Sequence, residues 1–309
     1  MGIFKKSEDD EKNESEVMDE NGSEELAEEE GAEEGAEEEF KFFDEDKSDA
    51  VPYLHESDQK AMNALRSIPG FTSLLKSFMK GWNERQFRVQ NMSSNLRLGE
   101  QQMPKYYNML PPICEKLGIE VPELYLTLDV VPDSWTYGDE NPFITITSGL
   151  IETLPDELIP TVLAHECGHI ACRHTLLTTM GAIMFNNPLN KVGGLGALFS
   201  IPLQVAFSYW LRCSDLSADR AAAICDGGAE KIVELCMRYA GFDKDIPTSA
   251  SKRLFMEQAL EYRDMVASSK WDKTMEVWVA STIKHPLNAV RAYECDEWVK
   301  TEQFKELTL

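Results

Sequence analysis

Two histidines and a glutamate stand at a spacing that does chemistry, His165-Glu166-x-x-His169 within Ala164-His-Glu-Cys-Gly-His169. On an α-helix, positions i and i+4 share a face, so His165 and His169 can offer two imidazoles to one metal while Glu166 stands beside them. This is the pattern of zinc-assisted peptide hydrolysis; the plainer alternative is a pair of histidines satisfied on a helix face. Catalytic zinc takes three protein ligands and leaves one position open, so a further donor must come from elsewhere in the chain. Arg212-Cys-Ser-Asp215-Leu-Ser-Ala-Asp219 places Arg212, Asp215 and Asp219 three, four and seven residues apart, on one face of a second helix. Asp215 could supply the third ligand, and Asp219, one turn on, could accept a hydrogen bond from the far nitrogen of a liganding imidazole. Alone, the three residues fit a solvated ionic stripe equally well.

The surrounding sequence must supply helices to carry these groups. Thr153-Leu-Pro-Asp156 resembles a helix start, and Pro160 close behind it kinks or restarts the motif helix. Val162, Leu163, Cys167 and Ile170 then provide a core-facing side. The second helix is predicted over residues 205–224, stopped by Asp226-Gly227-Gly228. Apolar spacing predicts further helices over 56–67, 71–92 (broken by Pro69-Gly70), 229–240, 251–268 and 287–300, with helical turns in 105–117 interrupted at Pro111-Pro112. Two stretches alternate with β-rich composition, 123–131 and 142–148, and residues 137–141 read as the turn joining them into a hairpin.

His174 lies five residues past His169, about 140° round a continuing helix, off the metal-facing side. It reads as a helix-end residue meeting the helix dipole or an acidic neighbour, not as a ligand.

The formal net charge of −24 is concentrated at one end. Residues 1–50 hold 22 Asp or Glu against 5 Lys, while the other 259 residues hold 32 acidic and 25 basic side chains. Low-complexity sequence such as Gly-Ala-Glu-Glu-Gly-Ala-Glu-Glu-Glu has too little apolar surface to offset the entropy of ordering. The expected organisation is a disordered acidic tail over 1–50 and one metallopeptidase domain over 51–309. With no basic stripe to neutralise phosphates, nucleic acid is excluded as a partner. Lys5-Lys6 is followed by acids, and the seven cysteines are odd in number without C-x-x-C spacing, so the expectation is a reduced, cytoplasmic protein. Residues 192–211 form an uncharged run of 20, long enough to cross a bilayer, yet interrupted by Pro202, Gln204, three glycines and two serines. A buried or amphipathic helical hairpin is the reading favoured here, with membrane contact through 192–211 as the alternative.

Over about residues 60–300 the sequence resembles the zinc peptidases that include HtpX-like proteases and CAAX prenyl proteases, of the gluzincin clan. The resemblance runs through Pro122-Glu-Leu-Tyr, Ser134-Trp-Thr-Tyr-Gly, Ile146-Thr-Ser-Gly-Leu150, the motif helix extended to Arg173-His174, Leu216-Ser-Ala-Asp219-Arg220-Ala221, and His285-Pro286 with Arg291. It implies an α+β, mostly helical, minigluzincin-like zincin with a small sheet packed on the H-E-x-x-H helix. The implied cofactor is Zn2+, held by His165, His169 and Asp215 with Asp219 behind them, and the implied activity is a metalloendopeptidase with Glu166 as general base, acting in protein quality control. The substrate, a peptide or unfolded protein, would add as a strand along a sheet edge near 143–148. His285 and Arg291 become candidates for stabilising the oxyanion or bracing the cleft. The usual third ligand of the family is Glu; Asp215 is one methylene shorter, so its helix must sit closer or the metal must shift. The rival reading is a zinc-binding interaction protein that keeps the fold with little hydrolytic activity.

Overall fold

The computed structural model describes residues 51–81, 84–186, 201–241, 251–268 and 287–309. The expected acidic tail over 1–50 and His285 lie outside the described residues. In chain order the elements are α1 (Glu56–Arg66), α2 (Phe71–Gly81), α3 (Glu84–Ser94), β1 (Leu96–Leu98), α4 (Pro104–Tyr107), α5 (Leu110–Leu117), β2 (Glu123–Thr127), β3 (Ser134–Tyr137), β4 (Phe143–Thr147), α6 (Ser148–Thr153), α7 (Ile159–Ala171) and α8 (Thr175–Asn186). They continue with α9 (Ile201–Asp226), α10 (Glu230–Gly241), α11 (Lys252–Ser268), α12 (Asn288–Trp298) and α13 (Glu302–Thr308). The fold is α+β and mostly helical, with one small sheet.

Two helices form its centre. α7 carries the H-E-x-x-H motif and begins after a 3-10 turn at Asp156–Leu158. Pro160 therefore falls in the first turn, where its missing N–H has no partner to lose, so it starts the helix and does not kink it. Ile159, Val162, Leu163 and Cys167 are buried. α9 buries Leu203, Phe207 and Trp210 at spacings of four and three along its first half, then Ala218, Ala221 and Ala222 along its second. Among the described residues no helix is long and apolar enough to cross a membrane. The two helices touch at Gly168, where an added Cβ would lie 2.7 Å from Ala221 Cβ and 2.9 Å from Ala218 Cα.

The sheet differs from the expected hairpin. Its order is β1-β2-β4-β3: β2 and β4 pair in parallel, with Leu124 opposite Ile144, and β4 pairs antiparallel with β3, with Thr136 opposite Ile144. The intended turn region thus contains the end of a strand, and β3 is the hairpin partner of β4 through Gly138–Pro142. β4, flanked on both edges, is buried at all five positions, so it offers no edge to a substrate. The sheet edge beside α7 belongs to β3.

Because Gly168 meets backbone atoms of α9, a side chain there must push the helices apart. Gly168→Ala is expected to cost about 1–3 kcal/mol in urea unfolding and to weaken zinc binding in a competitive chelator titration. Unchanged values of both would show that the helices do not need this contact.

Candidate active site

The structure brings the motif histidines and Asp215 to one point. His165 Nε2 and His169 Nε2 lie 3.3 Å apart, and Asp215 Oδ1 lies 3.9 and 3.5 Å from them. Donor atoms bound to a tetrahedral zinc at its usual bond lengths stand about 3.3 Å apart. Together the three residues form a group that could hold a metal ion, and all are buried. Charge gives a second test. Four buried carboxylates cluster here or one residue away (Asp58, Glu166, Asp215 and Asp219), and Arg291 is bonded to one of them, Asp219. Burial works against charge on His169, but Asp215 and Glu166 outweigh it and raise its pKa, so the local field favours a positive charge at this point. The donor set fits a divalent cation in distance and in charge.

For both Nε2 lone pairs to face a metal, each imidazole must carry its proton on Nδ1, and each Nδ1 has a partner. His165 Nδ1 lies 2.9 Å from Asp219 Oδ1. Asp219 is in turn gripped by Arg291, whose Nε and Nη2 donate to Oδ2 and Oδ1 at 2.8 and 2.7 Å. Burial pushes the Asp219 carboxyl up, but Arg291 and His165 outweigh it and bring its pKa down to about 2. The guanidinium of Arg291 is thus engaged with Asp219, a bracing position and not that of a free oxyanion donor.

His169 Nδ1 meets His174 Nδ1 at 3.0 Å. With His169 donating, His174 must carry its proton on Nε2, which lies 2.9 Å from Asp58 Oδ2. Asp58 also accepts from Trp210 Nε1 (3.0 Å) and Ser217 Oγ (2.6 Å). Burial raises the Asp58 pKa, but His174, Ser217 and Trp210 outweigh it and hold it below its usual value. The sequence reading of His174 as an off-site residue with an acidic neighbour is corrected in its first half. α7 ends at Ala171, and Arg173 turns left-handed at φ 58°, with its N–H bonded to Ile170 O and the His174 N–H to His169 O. This Schellman turn folds His174 back onto His169, where a continuing helix would have carried it away.

Glu166 is held from the sheet. Ser134 Oγ donates to its Oε1 at 2.7 Å and Thr136 Oγ1 to its Oε2 at 2.6 Å, two hydroxyls on one face of β3. Beside it lie two cavities that share Asp133, Ser134, His165 and Glu166 in their walls. One, about 180 Å³, runs toward Leu235, Tyr239, Asn288 and Arg291. The other, about 190 Å³, runs along β3 toward Thr178, Gly181 and Leu211.

Sequence reasoning found the two helices and passed over Asp58, Ser134 and Thr136. Asp58 lies 116 residues before His174 and nothing local marks it. The alternation Ser134-Trp-Thr-Tyr137 was a usable strand signal for the other two.

Residues 113–299 match peptidase family M48. The chain is 30% identical over 261 residues, 84% of its length and 75% of the relative's, to the plastoglobule-localized metallopeptidase 48, chloroplastic, of Arabidopsis thaliana. It is 23% identical over 190 residues to a protease HtpX homolog of Ralstonia nicotianae, covering 53% of this chain and 65% of the relative. A protease HtpX homolog of Methylibium petroleiphilum is 23% identical over 176 residues, 48% of this chain and 61% of the relative. The chain thus spans less than two thirds of either HtpX homolog. No solved structure matches it.

Groups that orient liganding histidines typically contribute tenfold to a hundredfold in metal affinity. Asp58→Asn keeps the shape of the side chain and removes the charge behind His174. It is expected to weaken zinc binding by roughly tenfold in a competitive chelator titration; an unaltered affinity would reduce the Asp58–His174 pair to packing.

Proposed function

The chain belongs to peptidase family M48 and is a metallopeptidase, and on that premise we propose that it is a zinc-dependent endopeptidase acting on extended or unfolded polypeptide. The observation that carries this reading is the convergence of His165, His169 and Asp215 within ligand spacing while Glu166, on the same turn of α7, faces the cleft with both oxygens oriented by β3. His165, His169 and Asp215 would hold the metal. A zinc ion there would lower the pKa of a water molecule and polarise the scissile carbonyl.

Glu166 takes the proton of the attacking water as general base and delivers it to the leaving amine as general acid. Ser134 and Thr136 fix its carboxylate so that each oxygen keeps a lone pair for this transfer. Asp219 and the His174–Asp58 pair hold the two imidazoles in the tautomer that presents Nε2, and Arg291 neutralises Asp219 in the dry interior. The substrate adds as a strand along β3, the sheet edge whose hydroxyls reach Glu166, so that main-chain bonds set its path across the cleft. Membrane contact through 192–211 is supported only by the length and composition of that run. In its described half, Leu203, Phe207 and Trp210 are buried in the protein, which favours the helical-packing reading there.

Glu166→Gln separates the enzyme from a zinc-holding interaction protein. It is expected to retain one zinc per chain and to lose roughly 10²- to 10⁴-fold in the cleavage of an unfolded protein, while chelation abolishes wild-type cleavage and added zinc restores it. Wild type and variant both holding zinc, with neither cleaving, would favour the interaction protein.

A further inference from the structure

The segment that joins β2 to β3 holds apolar side chains out in water. Leu128, Val130 and Val131 are 92%, 86% and 59% exposed, three large hydrophobic residues within four positions. The backbone beneath them is pinned to the start of α6. Asp129 O accepts from Gly149 N at 2.8 Å and from Ser148 Oγ at 3.0 Å, and Val131 O accepts from Thr147 Oγ1 at 2.8 Å. Val131 N donates to Asp129 Oδ1 at 2.9 Å, and Asp133 N to Thr147 Oγ1 at 3.0 Å. The Val130 carbonyl occupies the place a Cβ on Gly149 would take, so the segment and α6 fit only with glycine there. The loop cannot fold its side chains inward without breaking these bonds. Apolar groups presented together in this way mark a surface that a partner covers.

The position of the loop limits the partner. It runs straight into the cleft: Pro132 and Asp133 line the cavity on the Arg291 side, and Ser134 donates to Glu166. Val131 stands three residues before Ser134, so their Cα atoms lie within about 11 Å of each other. The apolar surface is therefore continuous with the Ser134 end of β3, the edge along which a substrate strand is placed. Charge limits it further. Residues 117–172 contain ten Asp or Glu and no Lys or Arg. Arg88 and Arg97 reach this segment but are paired with Glu123, and Lys105 is paired with Asp156. An anionic lipid surface is repelled by such a segment, whereas an unfolded polypeptide brings the apolar side chains that a folded one buries.

We propose that Leu128–Val131 is a docking ridge for the polypeptide substrate, which receives apolar side chains about three to five residues from the scissile bond. The inference rests on the peptidase reading for the identity of the partner, and it narrows the substrate class to unfolded chains with apolar side chains at that distance. Leu128, Val130 and Val131 then set specificity without touching the metal ligands or Glu166.

The test measures peptide binding in the Glu166→Gln background. A peptide from an unfolded protein, with leucine at the second to fifth positions on both sides of the scissile bond, is compared with analogues carrying one Leu→Gln change each. At one or two positions the change is expected to weaken binding by roughly threefold to tenfold. Adding Leu128→Ser, Val130→Ser and Val131→Ser weakens the parent peptide by a similar factor and removes the sensitivity at those positions, while Leu128→Ile, Val130→Ile and Val131→Ile retain it. Zinc stoichiometry reports that each variant is folded. Losses from Leu→Gln and from the serine variant that multiply at every position overturn the ridge, as does a serine variant that binds the parent peptide like its background. Serine substitutions that abolish binding to phosphatidylcholine vesicles and leave peptide binding intact also overturn it, in favour of a lipid-facing loop. Cleavage of the parent peptide by the wild type is scored separately: coupling without cleavage removes the peptidase reading and keeps the ridge, whereas cleavage without coupling removes only the ridge.

Discussion

The centre of this molecule depends on how closely two helices approach. Aspartate is a short side chain, and the Asp215 oxygen reaches 3.5 Å from His169 Nε2 because α7 and α9 are in van der Waals contact at Gly168. At Gly168, between the motif cysteine and the second histidine, an added Cβ would strike the backbone of α9. Facing it, α9 presents Ala218 and Ala221, both buried. Small residues remove the volume between the two axes, which lets so short a side chain come near the histidines.

That close approach brings a concentration of negative charge into a dry place, and the charge is balanced in layers. Asp219 is matched by Arg291 through two hydrogen bonds, a bidentate pair with good geometry. Asp58 is matched by hydrogen bonds from Trp210, Ser217 and His174. Glu166 is stabilised by two hydroxyls, and Asp215 lies beside the point where the imidazoles converge. Removing one partner of a buried pair costs about 3–5 kcal/mol, so these outer residues are not spare stabilisation. Each imidazole has a carboxylate behind it, directly for His165 and through a second imidazole for His169.

What the sequence made legible was local. His165, Glu166 and His169 share one helical turn, as do Asp215 and Asp219, and a 3.6-residue period is enough to group them. The pairing of those two groups came from the need for a third ligand and from the family resemblance, because no period links positions 46 residues apart. Asp58 was out of reach for the same reason: it belongs to α1, and only the packing of α1 against α9 delivers it to His174. His174 was misplaced because the angular argument assumed a helix that continues, and a single left-handed Arg173 invalidates it. The sheet was misread because β3 has only four residues, three of them hydroxylated, and the parallel and antiparallel neighbours of β4 cannot be distinguished by alternation alone. The α+β class survived these errors, since it depends on the existence of the elements and not on their register.

The apolar stretch before Asp215 gains a structural role from the same geometry. Trp210 is wholly buried, its indole N–H on Asp58, and Phe207 packs edge-on against it at 5.7 Å between ring centres. Both lie on the helix that carries Asp215, less than three turns before it. The face of α9 that their burial fixes is therefore the rotation that aims Asp215 at the histidines. Any transfer of residues 201–211 to a lipid phase would take Trp210 from Asp58 and leave a buried carboxylate short of a donor, loosening the support behind His169. Residues 201–211 and Asp215 lie on one helix, and its apolar half positions the half that faces the histidines.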